Sequence, residues 1–226
     1  MDIASNIKLL REQVPDHVKI VAVSKTRPVS DILTAWEAGQ RIFGENRVQE
    51  LLAKKEKLPD EIEWHLIGHL QTNKVKSIIP HVKLIHSVDS FRLISAINSE
   101  AVKAGITVDC LLQFHIAKEE TKSGFSFEEA RRMLDSKEFG SMQNIRIAGV
   151  MGMATFTDDM LTVRKEFATL RKYFNTLKDC YFRDMPFFRE ISMGMSGDFH
   201  IAVGEGSTII RIGTLIFGER NKTGNN

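Results

Sequence analysis

Residues 189–214, REISMGMSGDFHIAVGEGSTIIRIGT, pass from a short apolar run through an amphipathic segment to a second apolar run rich in isoleucine. The two apolar runs are typical of buried strands, and the segment between them is typical of a short helix. A strand, a helix and a strand in this order predict one parallel β/α unit.

The same alternation continues toward the N-terminus. Apolar runs predict strands at residues 19–25, 41–46, 63–69, 83–89, 108–116, 145–153, 189–195 and 207–214. Helix-like segments lie between them at residues 30–39, 47–58, 73–79, 90–105, 126–136, 159–179 and 196–206. Eight units of about 28 residues favour an α/β fold, the (β/α)8 TIM barrel, with an extra N-terminal helix. The alternative is an open doubly wound sheet, but its usual GxGxxG fingerprint between a strand and a helix is absent.

We expect a single domain over residues 1–226, because no linker rich in proline, glycine or serine divides the chain. In this interpretation residues 1–17 form an N-terminal helical segment before the first strand. The polar residues 221–226 form a flexible tail.

The composition excludes several classes of protein. Hydrophobic residues make up 42% of the chain and charged residues 27%, as in an average globular domain. The net charge of +2 is too small for a protein whose affinity depends on neutralising nucleic-acid phosphates. No apolar run reaches the roughly 18 residues of a membrane span, and the start of the chain lacks a secretory signal. We therefore expect a cytoplasmic protein with no nucleic-acid and no membrane partner.

Metal and disulfide sites are not predicted. Cys110 and Cys180 are far apart and outside any CxxC motif, so they form neither a disulfide framework nor a zinc site. His65 and His69 are four residues apart, but HLIGH lacks the glutamate of the HExxH motif.

Lys25 is the main candidate for covalent chemistry. It follows the apolar run IVAVS, and the functional face of a TIM barrel lies where the strands end. Desolvation at this position disfavours the protonated amine, and a neutral amine is a nucleophile toward aldehydes. This chemistry suits a Schiff base with a carbonyl substrate or with pyridoxal phosphate. The alternative is an ordinary solvated lysine at a strand end.

The loops after the seventh and eighth predicted strands suit a phosphate group. Ser196 lies at the turn into a helix, and Gly213 and Thr214 follow the last strand. Backbone N–H groups near glycine, together with hydroxyl groups, donate to anionic oxygens at such turns. The alternative for either loop is plain helix capping.

Arg211 and His65 are polar residues within or near strand runs. Beside a pyridine ring, the guanidinium of Arg211 would hydrogen-bond the ring nitrogen and, being charged, keep this nitrogen unprotonated. The alternative is a salt bridge between Arg211 and Glu190. His65 suits a polar role near a bound ring, with packing in the core as the alternative.

The strings VAVSKTRP, FGENRVQEL, WHLIGHLQTNK, ISMGMSGDF and IRIGTLIFGER resemble those of the pyridoxal phosphate homeostasis protein family, over residues 18–220. Members of this family are single-domain barrels that bind pyridoxal 5'-phosphate and resemble the barrel of alanine racemase. The resemblance implies a Schiff base on Lys25, a phosphate site near the last two strands and Arg211 facing the pyridine nitrogen. His115 departs from the family, which usually has asparagine there. The implied cofactor-binding residues are Lys25, Asn46, His65, Ser192, Ser196, Arg211, Gly213 and Thr214.

The resemblance implies a role in intracellular pyridoxal phosphate homeostasis without established catalytic turnover. Its implied partners are pyridoxal phosphate and apo-enzymes that receive it, and we expect a monomer or a weak dimer. Alanine racemase pairs its lysine with a tyrosine from a second domain, for which this chain is too short, and Tyr173 and Tyr181 lie in or just after a predicted helix. One alternative is a pyridoxal phosphate-dependent amino-acid racemase of low activity. Another is a lysine-dependent aldolase that needs no cofactor.

Overall fold

The computed structural model describes residues 2–117 and 123–219. Within these ranges, eight parallel strands form a closed barrel in which each strand pairs with the next along the chain and the last pairs with the first. The predicted TIM barrel is therefore confirmed. The strands are β1 (Lys19–Val23), β2 (Ile42–Glu45), β3 (Glu63–Leu66), β4 (Leu84–Val88), β5 (Val108–Phe114), β6 (Ile145–Gly152), β7 (Glu190–Ser192) and β8 (Ile209–Ile212).

Helices connect the strands and surround the barrel. They are α1 (Ile3–Gln13), α2 (Val29–Glu37), α3 (Val48–Lys55), α4 (Val75–Ile78), α5 (Phe91–Ala104), α6 (Phe127–Leu134), α7 (Lys137–Gly140), α8 (Met160–Tyr181), α9 (Phe199–Gly204) and α10 (Thr214–Phe217). Of the helices in the described ranges, none combines the length and the apolar character that crossing a bilayer requires.

The N-terminal helix α1 is present as predicted, and it packs against α2 and α10. The side-chain amide of Asn6 donates to the carbonyl of Ile216 at 3.0 Å, which ties α1 to the last helix. The predicted tail at residues 221–226 lies outside the described residues.

Local sequence signals explain where several helices begin and end. The Ser90 hydroxyl accepts from the backbone N–H of Leu93 at the start of α5, and Gly105 ends this helix with a φ of 66°. Ser126 and Glu129 form a reciprocal capping box at the start of α6. These caps satisfy backbone groups that have no partner within the helix.

Among the described residues, two buried apolar clusters hold the fold together. The larger cluster joins the outer face of the strands to the helices, and it includes Phe43, Trp64 and Phe167. Each fully buried large side chain contributes about 1.5–3 kcal/mol relative to an exposed one. The smaller cluster fills part of the barrel interior with Val21, Leu84, Leu111, Ala148, Met151 and Ile209.

Several strands are shorter than their apolar runs predict. The run at residues 189–195 continues three residues beyond the end of β7 at Ser192. The backbone turns at Gly194, where φ is 97° and an added Cβ would lie 2.6 Å from Ala202 Cβ. The ends of the apolar runs therefore lie on loops at the C-terminal face of the barrel.

Candidate functional site

A cavity of about 600 Å³ opens at the C-terminal face of the barrel. Apolar side chains, including Ile67, Met153 and Val163, form part of its wall. The structure brings most of the predicted site residues together on this wall, namely Lys25, Asn46, Ser196, Arg211, Gly213 and Thr214. A mainly apolar cavity of this size with a few polar and charged groups suits a small organic anion.

Lys25 lies on the turn between β1 and α2, two residues after the strand ends. The next residue, Thr26, has a φ of 64°, a left-handed conformation that β-branched residues rarely adopt. The Thr26 N–H donates to Glu50 Oε1 at 2.6 Å, and the Arg27 side chain donates to the carbonyl of Gly218. Because these contacts hold a conformation that costs about 1–3 kcal/mol, the backbone of Lys25 has a defined position.

A buried charged cluster lies behind this turn. The Lys54 ammonium donates to the carbonyl of Ser24, to Glu45 Oε1 and to Glu50 Oε1, each at 2.7 Å. Ser24 Oγ also donates to Glu45 Oε1 at 2.6 Å. Burial raises the pKa of Glu45 despite these donors. Partial burial acts in the same direction on Glu50, but Lys54 and the Thr26 N–H hold the pKa of Glu50 below its ordinary value.

The loops after β7 and β8 contact each other at the cavity. The backbone N–H of Gly213 donates to Ser196 Oγ at 3.3 Å, and the N–H of Met195 donates to Asp198 Oδ1 at 2.5 Å. Ser196 Oγ therefore accepts from one loop while its own hydrogen has no acceptor in the described part of the chain. A hydroxyl in this state can donate to an anionic ligand.

Arg211 is buried in β8 and forms part of the cavity wall. Its Nη1 donates to Ser192 Oγ at 2.6 Å, and its Nη2 donates to the carbonyl of Gly152 at 3.1 Å. Burial lowers the pKa of Arg211 to about 10, and the charge of Asp198 partly opposes this effect. The other N–H groups of this guanidinium have no partner within residues 2–117 and 123–219, so they can bind an acceptor in the cavity.

The salt bridge between Arg211 and Glu190 that the sequence left open is not formed. Glu190 instead contacts Lys19 at 2.6 Å and Arg189 at 3.4 Å. Glu190 and Ser192 are two residues apart in β7, so Glu190 lies nearer the N-terminal end of the barrel. The two acceptors of Arg211, Ser192 Oγ and the carbonyl of Gly152, are therefore both neutral.

His65 and Ser192 do not form the cavity wall. His65 lies within β3 instead of at its end, and Ser192 is fully buried at the end of β7. Both contact His86 in β4: Ser192 Oγ lies 2.9 Å from His86 Nδ1, and His65 Nδ1 lies 2.9 Å from His86 Nε2. These residues therefore lie behind Arg211, in the barrel interior.

His86, Asp198 and Arg27 are polar residues of the site that the sequence analysis did not single out. The signal for His86 was a histidine inside the apolar run LIHSV. Asp198 follows Ser196 and Gly197 in the same turn, and burial raises the pKa of its carboxyl. Arg27 follows Lys25 by two residues and also lines the cavity.

His65 and His69 do not share a metal site. His69 is exposed, and its Nδ1 lies 3.1 Å from Asp89 Oδ2, whereas His65 is buried against His86. Residues 2–117 and 123–219 contain no group of three or more histidine, cysteine, aspartate or glutamate side chains that could hold a metal ion.

Comparison with known proteins identifies the family. Residues 2–221 match the family described as alanine racemase, N-terminal domain. A pyridoxal phosphate homeostasis protein from Aquifex aeolicus is 40% identical over 203 residues, covering 89% of this chain and 87% of that protein. One from Schizosaccharomyces pombe is 31% identical, covering 96% of this chain and 93% of that protein.

Solved structures agree with this assignment. The structure of PipY from Synechococcus elongatus with pyridoxal phosphate bound has a TM-score of 0.85 and 37% identity, covering 96% of this chain and 100% of PipY. An alanine racemase from Clostridium difficile has a TM-score of 0.76 at 14% identity, covering 98% of this chain and 57% of the racemase, and shows a shared fold alone. The chain belongs to the pyridoxal phosphate homeostasis protein family, and it matches the family model of the alanine racemase N-terminal domain.

Proposed function

We propose that this protein binds pyridoxal 5'-phosphate in intracellular cofactor homeostasis and holds it as a Schiff base on Lys25, without catalytic turnover. The observation that supports this most strongly is the placement of Lys25, Ser196, Thr214 and Arg211 around one cavity. The names of the relatives and the ligand in the PipY structure support the same cofactor.

The residues of the cavity fit the groups of this cofactor. When bound, pyridoxal phosphate supplies an aldehyde that reacts with amines and a ring that withdraws electrons. Lys25 provides the amine, and the hydroxyls of Ser196 and Thr214 provide donors for the phosphate, with Gly213 N–H holding Ser196 in place. Arg211 provides a charged donor for the ring nitrogen.

Two features argue against turnover. A permanently charged Arg211 keeps its nitrogen partner unprotonated, which weakens the ring as an electron acceptor. Among the described residues that line the cavity there is no tyrosine. The ring of Tyr173 stacks on Phe127 with centroids 4.6 Å apart, and the Tyr181 hydroxyl donates to Asp135 at 2.9 Å. Racemisation with a tyrosine as the second base therefore lacks its proton donor.

The covalent site can be tested by absorbance and mass spectrometry. Protein incubated with pyridoxal phosphate should show an imine absorbance band that borohydride abolishes, with the reduced pyridoxyl group on Lys25. Lys25→Ala should lose the band, and Lys76→Ala, which changes an exposed lysine, should keep it. A reduced adduct on another lysine, or no adduct, would contradict the proposal.

The alternative activity is amino-acid racemisation at a low rate. It is favoured by the carboxyl of Asp198, which lines the cavity and whose pKa burial raises, so that it could carry a proton. We expect no deuterium exchange at Cα of a panel of amino acids above the rate with free pyridoxal phosphate, as followed by NMR. Exchange that exceeds this rate and is lost in both Lys25→Ala and Asp198→Asn would establish the racemase instead.

The homeostasis role predicts transfer of the cofactor to apo-enzymes. Loaded protein should restore the activity of a pyridoxal phosphate-dependent apo-enzyme faster than the cofactor dissociates into buffer. If the apo-enzyme regains activity only as fast as the cofactor dissociates, direct transfer is contradicted and the protein stores the cofactor.

A further inference from the structure

A chain of hydrogen-bonded side chains crosses the barrel beneath the cavity. Arg211 donates to Ser192 Oγ at 2.6 Å, Ser192 Oγ lies 2.9 Å from His86 Nδ1, and His86 Nε2 lies 2.9 Å from His65 Nδ1. Their exposed fractions are 5% for Arg211, 0% for Ser192 and His86, and 3% for His65. The interior of a TIM barrel is usually filled with branched apolar side chains. Burying polar groups costs free energy unless they are paired, so each of these side chains needs the hydrogen bonds that it makes with the others.

The direction of each hydrogen bond follows from the donors available. A guanidinium only donates, so Ser192 Oγ accepts from Arg211. In the described ranges, the only other partner of this hydroxyl is His86 Nδ1, so the hydroxyl hydrogen points to His86. His86 then carries its hydrogen on Nε2 and donates to His65 Nδ1, which leaves the hydrogen of His65 on Nε2. The opposite direction would leave the Ser192 hydrogen without an acceptor among the described residues.

Both histidines are neutral in this arrangement. Burial lowers the pKa of His65 to about 3, and the nearby Lys19 and Lys83 act in the same direction. Burial also lowers the pKa of His86 well below its ordinary value, and the positive charge of Arg211 acts in the same direction. A neutral imidazole has one donor and one acceptor, which is what the middle of a directional chain requires.

We propose that His86, supported by His65, is a positioning residue for Arg211. His86 fixes the Ser192 hydroxyl as an acceptor, and this hydroxyl fixes the guanidinium at the cavity wall. Every acceptor among these hydrogen-bonded side chains is neutral. They therefore orient Arg211 without cancelling its positive charge, which a carboxylate would do. This inference rests on the proposed function, in which Arg211 faces the ring nitrogen of pyridoxal phosphate.

The test uses the full-length protein loaded with pyridoxal phosphate. His86→Leu removes the acceptor for Ser192, so we expect affinity to fall by about tenfold, as for one lost hydrogen bond. The imine band and the pH at which it titrates should shift in the same direction as in Arg211→Gln. His86→Asn places an amide oxygen near the position of Nδ1, so it should restore most of the wild-type spectrum.

A double-mutant cycle separates positioning from general stability. If His86 acts through Arg211, His86→Leu should change the spectrum little in a protein that already carries Arg211→Gln. Leu111→Ala, in the apolar cluster inside the barrel, should lower the thermal midpoint without shifting the band. An unchanged band in His86→Leu, or additive effects in the double variant, would overturn the proposal.

The hydrogen-bond direction can be tested without the cofactor. NMR of labelled histidines in the unliganded protein should show neutral rings with the hydrogen on Nε2 for both His65 and His86. Hydrogen on Nδ1 of either ring would overturn the assigned direction, and this measurement does not depend on His86→Leu being folded. If the cofactor does not bind while both tautomers are as expected, the proposed function fails and the hydrogen-bonded chain stands.

Discussion

At the scale of the residue, Lys54 joins α3 to the turn that carries Lys25. Its ammonium is the shared partner of Glu45, Glu50 and the carbonyl of Ser24. Glu45 is fully buried, and its Oε2 has no hydrogen-bond partner in the described part of the chain. Two carboxyl groups therefore depend on one buried cation.

Lys54→Met should reduce the free energy of unfolding by about 3–5 kcal/mol, because it leaves the buried carboxyl of Glu45 without its cation. Urea unfolding at neutral pH measures the change. Lys57→Met, which changes an exposed lysine after the same helix, should have an effect within about 0.5 kcal/mol. A loss of less than about 1 kcal/mol in Lys54→Met would show that the cluster does not hold the turn.

The neutral histidines make stability depend on pH. The pKa values of His65 and His86 in the folded protein lie below the ordinary value of 6.5, so the unfolded chain binds more protons than the folded chain below this pH. Their contribution to stability is present above pH 6.5 and is lost as the pH falls toward about 3. Each histidine contributes a slope of up to about 1.4 kcal/mol per pH unit.

His86→Asn should therefore reduce the pH dependence of unfolding by about 1 kcal/mol per pH unit between about pH 6 and about pH 5. Urea unfolding at a series of pH values gives the slope for each protein. His17→Gln, at an exposed position, should match the wild-type slope. Equal slopes in wild type and His86→Asn would mean that His86 is charged in the folded protein.

At the scale of the element, β6 contains an irregularity that the alternation of apolar residues does not reveal. Its pairing with β5 shifts by one residue between Ile147 and Gly149. A Cβ at Gly149 would lie 1.8 Å from the carbonyl oxygen of Glu190 in β7. This glycine therefore permits β7 to approach β6 at Glu190, two residues before Ser192.

Gly149→Ala should cost more than about 3 kcal/mol of unfolding free energy or prevent folding, because backbone cannot move away from the added carbon cheaply. Thermal and urea unfolding measure this loss. Gly140→Ala is the matched control: no atom lies within 4 Å of its Cβ position, and alanine there should be neutral or stabilise by up to about 1 kcal/mol. Similar effects of both substitutions would contradict the close approach of β6 and β7.

At the scale of the whole molecule, the cavity joins the first and last strands of the closed barrel. Lys25 follows β1, whereas Arg211 and Thr214 belong to β8 and the helix after it. A ligand that contacts all three links the two ends of the barrel, and unfolding must release it.

Pyridoxal phosphate at about 100 times its Kd should therefore raise the free energy of unfolding by about 2.7 kcal/mol. Thermal unfolding across a range of cofactor concentrations measures this effect. Lys25→Ala should show a smaller increase, because only the noncovalent contacts remain. An unchanged thermal midpoint in the wild type at saturating cofactor would contradict binding to the folded barrel.

Local sequence patterns specify the order of strands and helices and the positions that follow the strands. Apolar runs and amphipathic segments are local patterns, and in a parallel barrel all strands end on the same face. Lys25, Asn46, Ser196, Gly213 and Thr214 could therefore be assigned to one region before their distances were known. The extent of each strand could not be assigned in this way. The backbone turns at positions such as Gly194, so the strand ends before the apolar run does.

The contacts behind the cavity depend on how distant strands pack in the closed barrel. His86 and Ser192 are 106 residues apart in the chain and meet across the barrel interior. Their contact depends on the register of β4 and β7. The same register places Ser192, and not Glu190 two residues earlier in β7, against Arg211. Strand register is set by packing and hydrogen bonding over the whole closed sheet, so a local pattern does not contain it. For this reason His65 and Ser192 could be identified as polar residues of the site, whereas their place beneath Arg211 required the fold.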